Sequence, residues 1–269
     1  MVATRCRRIT NYRMTTTIVI TRPVKQATEF AERLNLAGLS AVVFPLLDIA
    51  PLTDTTALRA TLARLTTFSL VAFVSPNAID ATFAHIPHWP REVPLAVMGE
   101  GSLQTLARHG VTAEHYQITR PLNRHRTDSQ TLLEALDLDR LRSGTVLILR
   151  GETGREFLAD ALRAAGAHVE QVAAYRRSAV ELTPTRAAQL LTLLASDSRW
   201  VITSSEALHM LMRMVEQVDP QHGVAKMRHK NLFVPHPRIA EVAQSLGFHT
   251  IHQTDAGDDG LFSTLQSAT

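Results

Sequence analysis

The sequence predicts an α/β protein built as two parallel-sheet lobes, and three observations lead there. Apolar runs of strand length alternate with helical apolar spacing along the chain, the rhythm of parallel sheets covered on both faces. The chain is internally duplicated: residues 17–45 align without a gap on 145–173, with Arg22 on Arg150, Phe30 on Leu158, Leu34 on Leu162 and Gly38 on Gly166. A strand–turn–helix stretch at 71–83 (VAFVSPNAIDATF) returns 129 residues later at 200–208 (WVITSSEAL). A looser pair, 93–111 and 231–250, sets Gly110 opposite Gly247. Each half thus holds about three strand–turn–helix units in the same order.

The elements follow in order. Residues 17–22 read as a strand and 23–36 as a helix, with Ala27, Phe30, Ala31 and Leu34 on one face and Gly38 placed to end it. Residues 41–52 form a long extended run broken by Pro45 and Pro51; proline is poorly tolerated in a central strand, so this run leaves its sheet as a crossing. A helix over 55–66 precedes the 71–83 unit, in which Ser75 or Asn77 caps a helix and Pro76 suits its first turn. A proline-rich loop (85–93) leads to a strand at 95–98, a turn at 99–102 and a helix at 103–109 closed by Gly110. After a polar, broken stretch (112–128), a helix is expected over 127–138. The second half restarts with a strand at 145–149, a turn at 150–155, and a helix ending at Gly166. Residues 168–178 form the return crossing. Helices at 184–195, 205–215 and 239–246 then alternate with strands at 200–203, 232–234 and 249–252, before an acidic loop and a short helix from Gly260.

Composition excludes several classes. At 269 residues, 45% hydrophobic and 20% charged, the chain suits two ordinary globular domains. No apolar run approaches the roughly 20 residues of a membrane span. The net charge of +3 comes from the first 13 residues, which hold four arginines and no acid; without them 24 basic face 25 acidic residues. A nucleic-acid partner is therefore not expected. Residues 1–14 read as a disordered basic extension, with Met14 as a candidate natural start. The one cysteine, Cys6, lies there, so the body has no disulfide or thiol nucleophile, which fits a reducing cytoplasm.

Ligands of parallel sheets gather at the carboxyl ends of the strands, where helix N-termini offer free N–H groups and the positive end of the dipole. The two halves supply six such turns: Thr21-Arg22-Pro23, Ser75-Pro76-Asn77, 99–102 with Gly99 and Ser102, 150–155 with Arg150, Gly151 and Arg155, Thr203-Ser204-Ser205, and 235–238 with His236 and Arg238. Taken singly, these hydroxyls cap helices and these arginines decorate a surface. Taken as a set of six, they describe a polar cleft for a polyanion. No GxGxxG opens a helix and no phosphate-binding GxxxxGK[ST] loop exists, so no nucleotide cofactor is expected. His85 and His88 lack an acidic or cysteine partner, and no metal is expected. Ser75 or Ser204 as nucleophile has no evident base.

With these motifs in hand, the chain resembles the uroporphyrinogen-III synthases over roughly 17–265. The resemblance rests on ITRP at 20–23, FVSPNA at 73–78, GEGS at 99–102, LRGETGRE at 149–156, VAAYRR at 172–177, ITSSEAL at 202–208 and the run from Val234 to Phe248. It implies two flavodoxin-like, doubly wound domains joined by a two-stranded linker: 15–41 plus 177–269, and an inserted 42–176. It implies a cofactor-free, cytoplasmic, monomeric lyase that takes hydroxymethylbilane, a linear tetrapyrrole with eight carboxylates, by handover from hydroxymethylbilane synthase, and closes it with inversion of ring D. It implies carboxylate binding at the six turns, and it matches Tyr175 to a tyrosine suggested to help the hydroxyl leave as water. Ser102 stands where relatives can carry threonine, and Pro237 where some do. A two-lobed binding or sensor protein without catalysis is the alternative of another class.

Overall fold

The computed structural model describes residues 16–122 and 128–268. The basic extension, Cys6 and the predicted helix start at Thr127 lie outside them. The strands are β1 (Thr17–Ile20), β2 (Ala41–Val43), β3 (Leu47–Pro51), β4 (Leu70–Phe73), β5 (Leu95–Val97), β6 (Ile118–Thr119), β7 (Thr145–Gly151), β8 (His168–Ala179), β9 (Ser198–Val201), β10 (Asn231–Val234) and β11 (Thr250–Gln253). They form two sheets. One is ordered β2-β1-β9-β10-β11 and is wholly parallel; the other is β3-β8-β7-β4-β5-β6, parallel except for β3 against β8.

The sequence duplication explains the strand orders. The first sheet follows the doubly wound order 2-1-3-4-5. Replacing β7, β8, β4, β5 and β6 by their repeat equivalents gives the same order in the second. Apart from β3, each sheet therefore takes two strands from one half of the chain and three from the other. The halves have exchanged parts, and the exchange requires two crossings.

Those crossings are β3 and the end of β8. The first part of β8 pairs parallel with β7 as far as Tyr175, and its last part pairs antiparallel with β3, Pro51 facing Tyr175 and Leu47 facing Ala179. A register irregularity between Arg150 and Gly151 marks the place where β8 parts from β7. Tyr175 thus sits at the junction of sheet and linker.

Alternation buries both faces of each sheet. Val19, Trp200, Leu232 and Val234 face one core while Ile18, Ile20, Val201 and Phe233 face another. In the second sheet Val71, Phe73, Leu147 and Leu149 oppose Leu70, Ala72, Val146 and Ile148. Burial of each such side chain contributes about 1.5–3 kcal/mol before entropy is counted. Gly38, Gly110, Gly166 and Gly247 all terminate helices with φ between 77° and 92°, a region costly for any side chain.

Several boundaries differ from expectation. The helix expected from Leu103 begins at Glu100, so 100–102 form its first turn and Gly99 its N-cap. Arg150 and Gly151 belong to β7 rather than to the following turn. The helix expected over 127–138 is split into Ser129–Ala135 and Leu138–Leu141. Two short elements, β6 and the helix Gly223–Arg228, lie within stretches read as irregular.

Candidate active site

The carboxyl ends of β4, β7, β9 and β10 open on one cleft of about 630 Å³ between the two sheets. That is within the usual range for a small-molecule site. Several helices direct their N-termini into it, among them Pro76–Phe83, Ser205–Val218 and Pro237–Ser245. Ser75 Oγ accepts from Ala78 N–H at 3.2 Å, Ser204 Oγ from Ala207 N–H at 3.4 Å, and His236 Nδ1 from Arg238 N–H at 3.1 Å. These residues are helix caps as well as cleft lining. Ser205 Oγ is buried with no hydrogen-bond partner among the described residues.

Of the residues singled out in the sequence, Ser75, Pro76, Asn77, Arg150, Gly151, Tyr175, Ser204, Ser205, His236 and Arg238 are brought together in the cleft lining. Thr21, Arg22, Gly99 and Ser102 are not. Thr21 is buried and its hydroxyl donates to Val201 C=O at 2.7 Å. Arg22 is held away by an ion pair with Asp258 at 2.5 Å and by the Phe30 ring, 5.1 Å from its guanidinium carbon. Gly99 caps its own helix, and Ser102 is buried within it. Met98, just before that helix, does reach the cleft.

The cleft arginines are not equivalent. Arg150 is nearly buried; its Nη1 donates to Glu156 Oε1 at 2.6 Å and also to Gln171 Oε1. Gln171 and Arg150 together hold the Glu156 carboxyl below its ordinary pKa. Gly154 lies against this guanidinium, since an added Cβ would stand 2.7 Å from Arg150 Nη2. Arg155 and Arg238 also line the cleft, and neither has an ion-pair partner among the described residues.

Tyr175 is 1% exposed and contributes to the cleft lining, and its hydroxyl is held by two other lining residues. It lies 3.1 Å from Ser75 Oγ, and Arg177 Nη2 donates to it at 3.1 Å. Arg177 Nη1 donates to Glu206 Oε2 at 3.3 Å. Burial opposes the charge on Arg177, but Tyr175 and Glu206 outweigh it and raise its pKa. Gly151 backs the phenol: an added Cβ would stand 3.1 Å from Tyr175 Cζ.

Polar contacts join the lobes on several sides of the cleft. Gln26 Nε2 donates to Asn77 Oδ1 at 3.1 Å, Lys25 pairs with Asp80 at 3.1 Å, and Arg108 with Glu29 at 3.7 Å. His236 Nε2 lies 3.2 Å from Asp128 Oδ2; because Nδ1 accepts the Arg238 N–H, Nε2 is the donor. Arg177, Glu206, Gln171 and Asp128 were not singled out in the sequence. For Arg177 a signal existed: two residues beyond Tyr175 on one strand, it shares a face with it.

Comparison with known proteins supplies the remaining evidence. A family model described as uroporphyrinogen-III synthase HemD matches residues 28–262. The uroporphyrinogen-III synthase of Salmonella typhimurium is 31% identical over 260 residues, covering 93% of this chain and 99% of its own. That of Escherichia coli is 30% identical over 262 residues, with the same coverage. Among solved structures, the uroporphyrinogen-III synthetase of Helicobacter pylori aligns with a TM-score of 0.59 at 14% identity, over 94% of this chain and 100% of its own. A mutant uroporphyrinogen III synthase from Thermus thermophilus aligns with a TM-score of 0.57 at 14% identity, over 94% and 97%. At that identity the structural likenesses speak for the fold.

Proposed function

The chain belongs to the uroporphyrinogen-III synthase family, and on that premise we propose that hydroxymethylbilane is bound and closed in the cleft between the two sheets, with Tyr175 as proton donor. As a member of the family the chain is a lyase of heme biosynthesis, cyclising that linear tetrapyrrole to uroporphyrinogen III with loss of water and inversion of ring D. One observation carries the place of the reaction: Tyr175, its hydroxyl held by Ser75 and Arg177, lines a cleft ringed by helix N-termini and arginines.

The steps follow from the groups present. Substrate carboxylates settle on the free N–H groups of these helices and on Arg155 and Arg238, which have no ion-pair partner among the described residues. The two lobes hold the chain folded so that its reacting ends meet, and orientation of this kind can supply up to ~7–11 kcal/mol. Tyr175 O–H gives its proton to the departing hydroxyl as the C–O bond breaks and water leaves. The electrophilic carbon left behind then bonds to the ring D α-carbon that already carries the bridging methylene, giving a spiro pyrrolenine. The bond from that methylene to ring D breaks and re-forms at the free ring D α-carbon, and the proton lost from that carbon as ring D recovers aromaticity restores the phenol. Spontaneous closure gives the uninverted type I isomer, so the cleft must also withhold the geometry that leads there.

The finer setting belongs to the same proposal. We take the protein as a cytoplasmic monomer receiving its substrate directly from hydroxymethylbilane synthase, a handover favoured by the substrate's spontaneous closure. Among the described residues no helix is long and apolar enough to cross a membrane. We place the lobe boundaries in the two crossings, with 15–41 plus 177–269 as one lobe and 42–176 as the other. The antiparallel β3–β8 ribbon supports this placing, although β2 runs on to Val43. The test is the isomer ratio of uroporphyrin when hydroxymethylbilane is generated in situ with and without the protein. A protein-dependent shift from type I to type III is expected; type I alone from folded protein would overturn the proposal.

A further inference from the structure

We infer that Arg177 is a positioning residue for the proton transfer: it fixes the direction of the Tyr175 O–H and stabilises the phenolate left when the proton goes. The inference rests on the reading of Tyr175 as donor. A guanidinium has N–H donors and no acceptor, so at 3.1 Å Arg177 Nη2 donates to the phenol oxygen and occupies one of its lone pairs. The phenol's own hydrogen must then point elsewhere. The other neighbour is Ser75 Oγ, also at 3.1 Å, which already accepts the Ala78 N–H. Ser75 can therefore take the phenol hydrogen before substrate binds and yield it when a leaving oxygen arrives.

The guanidinium is anchored at both ends. Nη2 holds Tyr175 and Nη1 holds Glu206 at 3.3 Å, so its orientation is set from both lobes. Among the described residues, Ser75 and Arg177 are the groups that hydrogen-bond the phenol. Arg150, on the neighbouring strand, is taken by Glu156 and Gln171. Asp80, the titratable residue of the helix behind Ser75, is paired with Lys25 and His109. As the proton leaves, negative charge develops on the phenol oxygen, and the bond from the guanidinium, already charge-assisted at its donor, becomes an ion pair as well. The gain is thus larger after transfer than before it, which is what an effect on rate requires.

The test is a double-mutant cycle with kcat and KM measured separately. We expect Arg177→Met to lower kcat about tenfold, with KM changed by less than about threefold. Arg177→Lys should restore part of the rate, because it returns the charge without the fork. In a Tyr175→Phe background, Arg177→Met should change kcat by less than about twofold, since the group it acts through is gone. An equal loss of kcat in both backgrounds would overturn the inference, and so would an effect confined to KM, which would make Arg177 a carboxylate contact. Wild-type kcat for Tyr175→Phe alone would instead overturn the reading of Tyr175 beneath it. Should Arg177→Met fail to fold, Glu206→Gln removes the second anchor from an exposed position, and the same dependence on Tyr175 is required of it.

Discussion

Gly151→Ala isolates the position of the phenol from its presence. Gly151 is not in the left-handed region, so its backbone accepts alanine. The new methyl would stand 3.1 Å from Tyr175 Cζ, 3.2 Å from Cε2 and 3.3 Å from the hydroxyl oxygen, where ordinary contacts begin at 3.4 Å. The ring must give by a few tenths of an ångström. It is fully enclosed, so the relief moves the hydroxyl away from Gly151. Its hydrogen bonds to Ser75 and Arg177 are both 3.1 Å, and a further 0.3 Å would bring them to about 3.4 Å, near the limit of a useful bond. Loss of one or both, at about 1–2 kcal/mol together, predicts a kcat lower by roughly 5- to 30-fold. Crowding should cost stability no more than about 1–2 kcal/mol. The assay is turnover of hydroxymethylbilane made in situ, with separation of the uroporphyrin isomers and a thermal melt of the same sample. Type III should persist, because the lobes that fold the substrate are untouched. A variant that melts normally and turns over at the wild-type rate would refute the reasoning.

Other perturbations test separate parts of the structure. Gly260→Ala should destabilise on the order of 3 kcal/mol, because its Cβ would stand 2.4 Å from the backbone oxygen of Asp255, which cannot rotate away. Gly101→Ala is the matched control; its Cβ meets only Pro76 Cγ at 3.9 Å, and a melt should show no loss. Asp80→Asn removes the carboxylate that joins Lys25 of one lobe to His109 of the other. Burial works against that carboxylate, but its bonds to His109 and Lys25 outweigh it and lower the pKa. A depressed folded value stabilises above the unfolded value, ~3.9, and the stabilisation is lost as pH falls through the folded one. Denaturation of wild type and Asp80→Asn should therefore differ at pH 6–7 and converge below about pH 4. A difference constant across that range would rule out the carboxylate as its source.

What was legible in the sequence was mostly local. The four terminating glycines needed only φ > 0 at a helix end, a demand that shows within a few residues. The duplication showed because both halves bury strands on two faces, which leaves long apolar runs to align. What was missed depends on partners far along the chain. Arg22 looked like a cleft cation until Asp258, 236 residues away, took it. Thr21 lost its hydroxyl to Val201 in the same manner. Ser102 followed from reading Gly99 to Ser102 as a loop, when Glu100 already begins the helix. β6, with two residues, offered no periodicity to detect. The exchange of strands between the halves was beyond periodicity, since the repeat alone permits each half to form its own sheet.

The most direct measurement on the cleft as the place of reaction is the turnover and product isomer of Tyr175→Phe, which keeps the ring in its enclosure and removes only the hydroxyl. A fall in kcat of about 100-fold is predicted, within the range of a lost general acid. The product still formed by the protein should be mainly type III, because isomer choice lies in how the two lobes fold the chain. Wild-type turnover from the phenylalanine variant would contradict this and move the chemistry away from Tyr175.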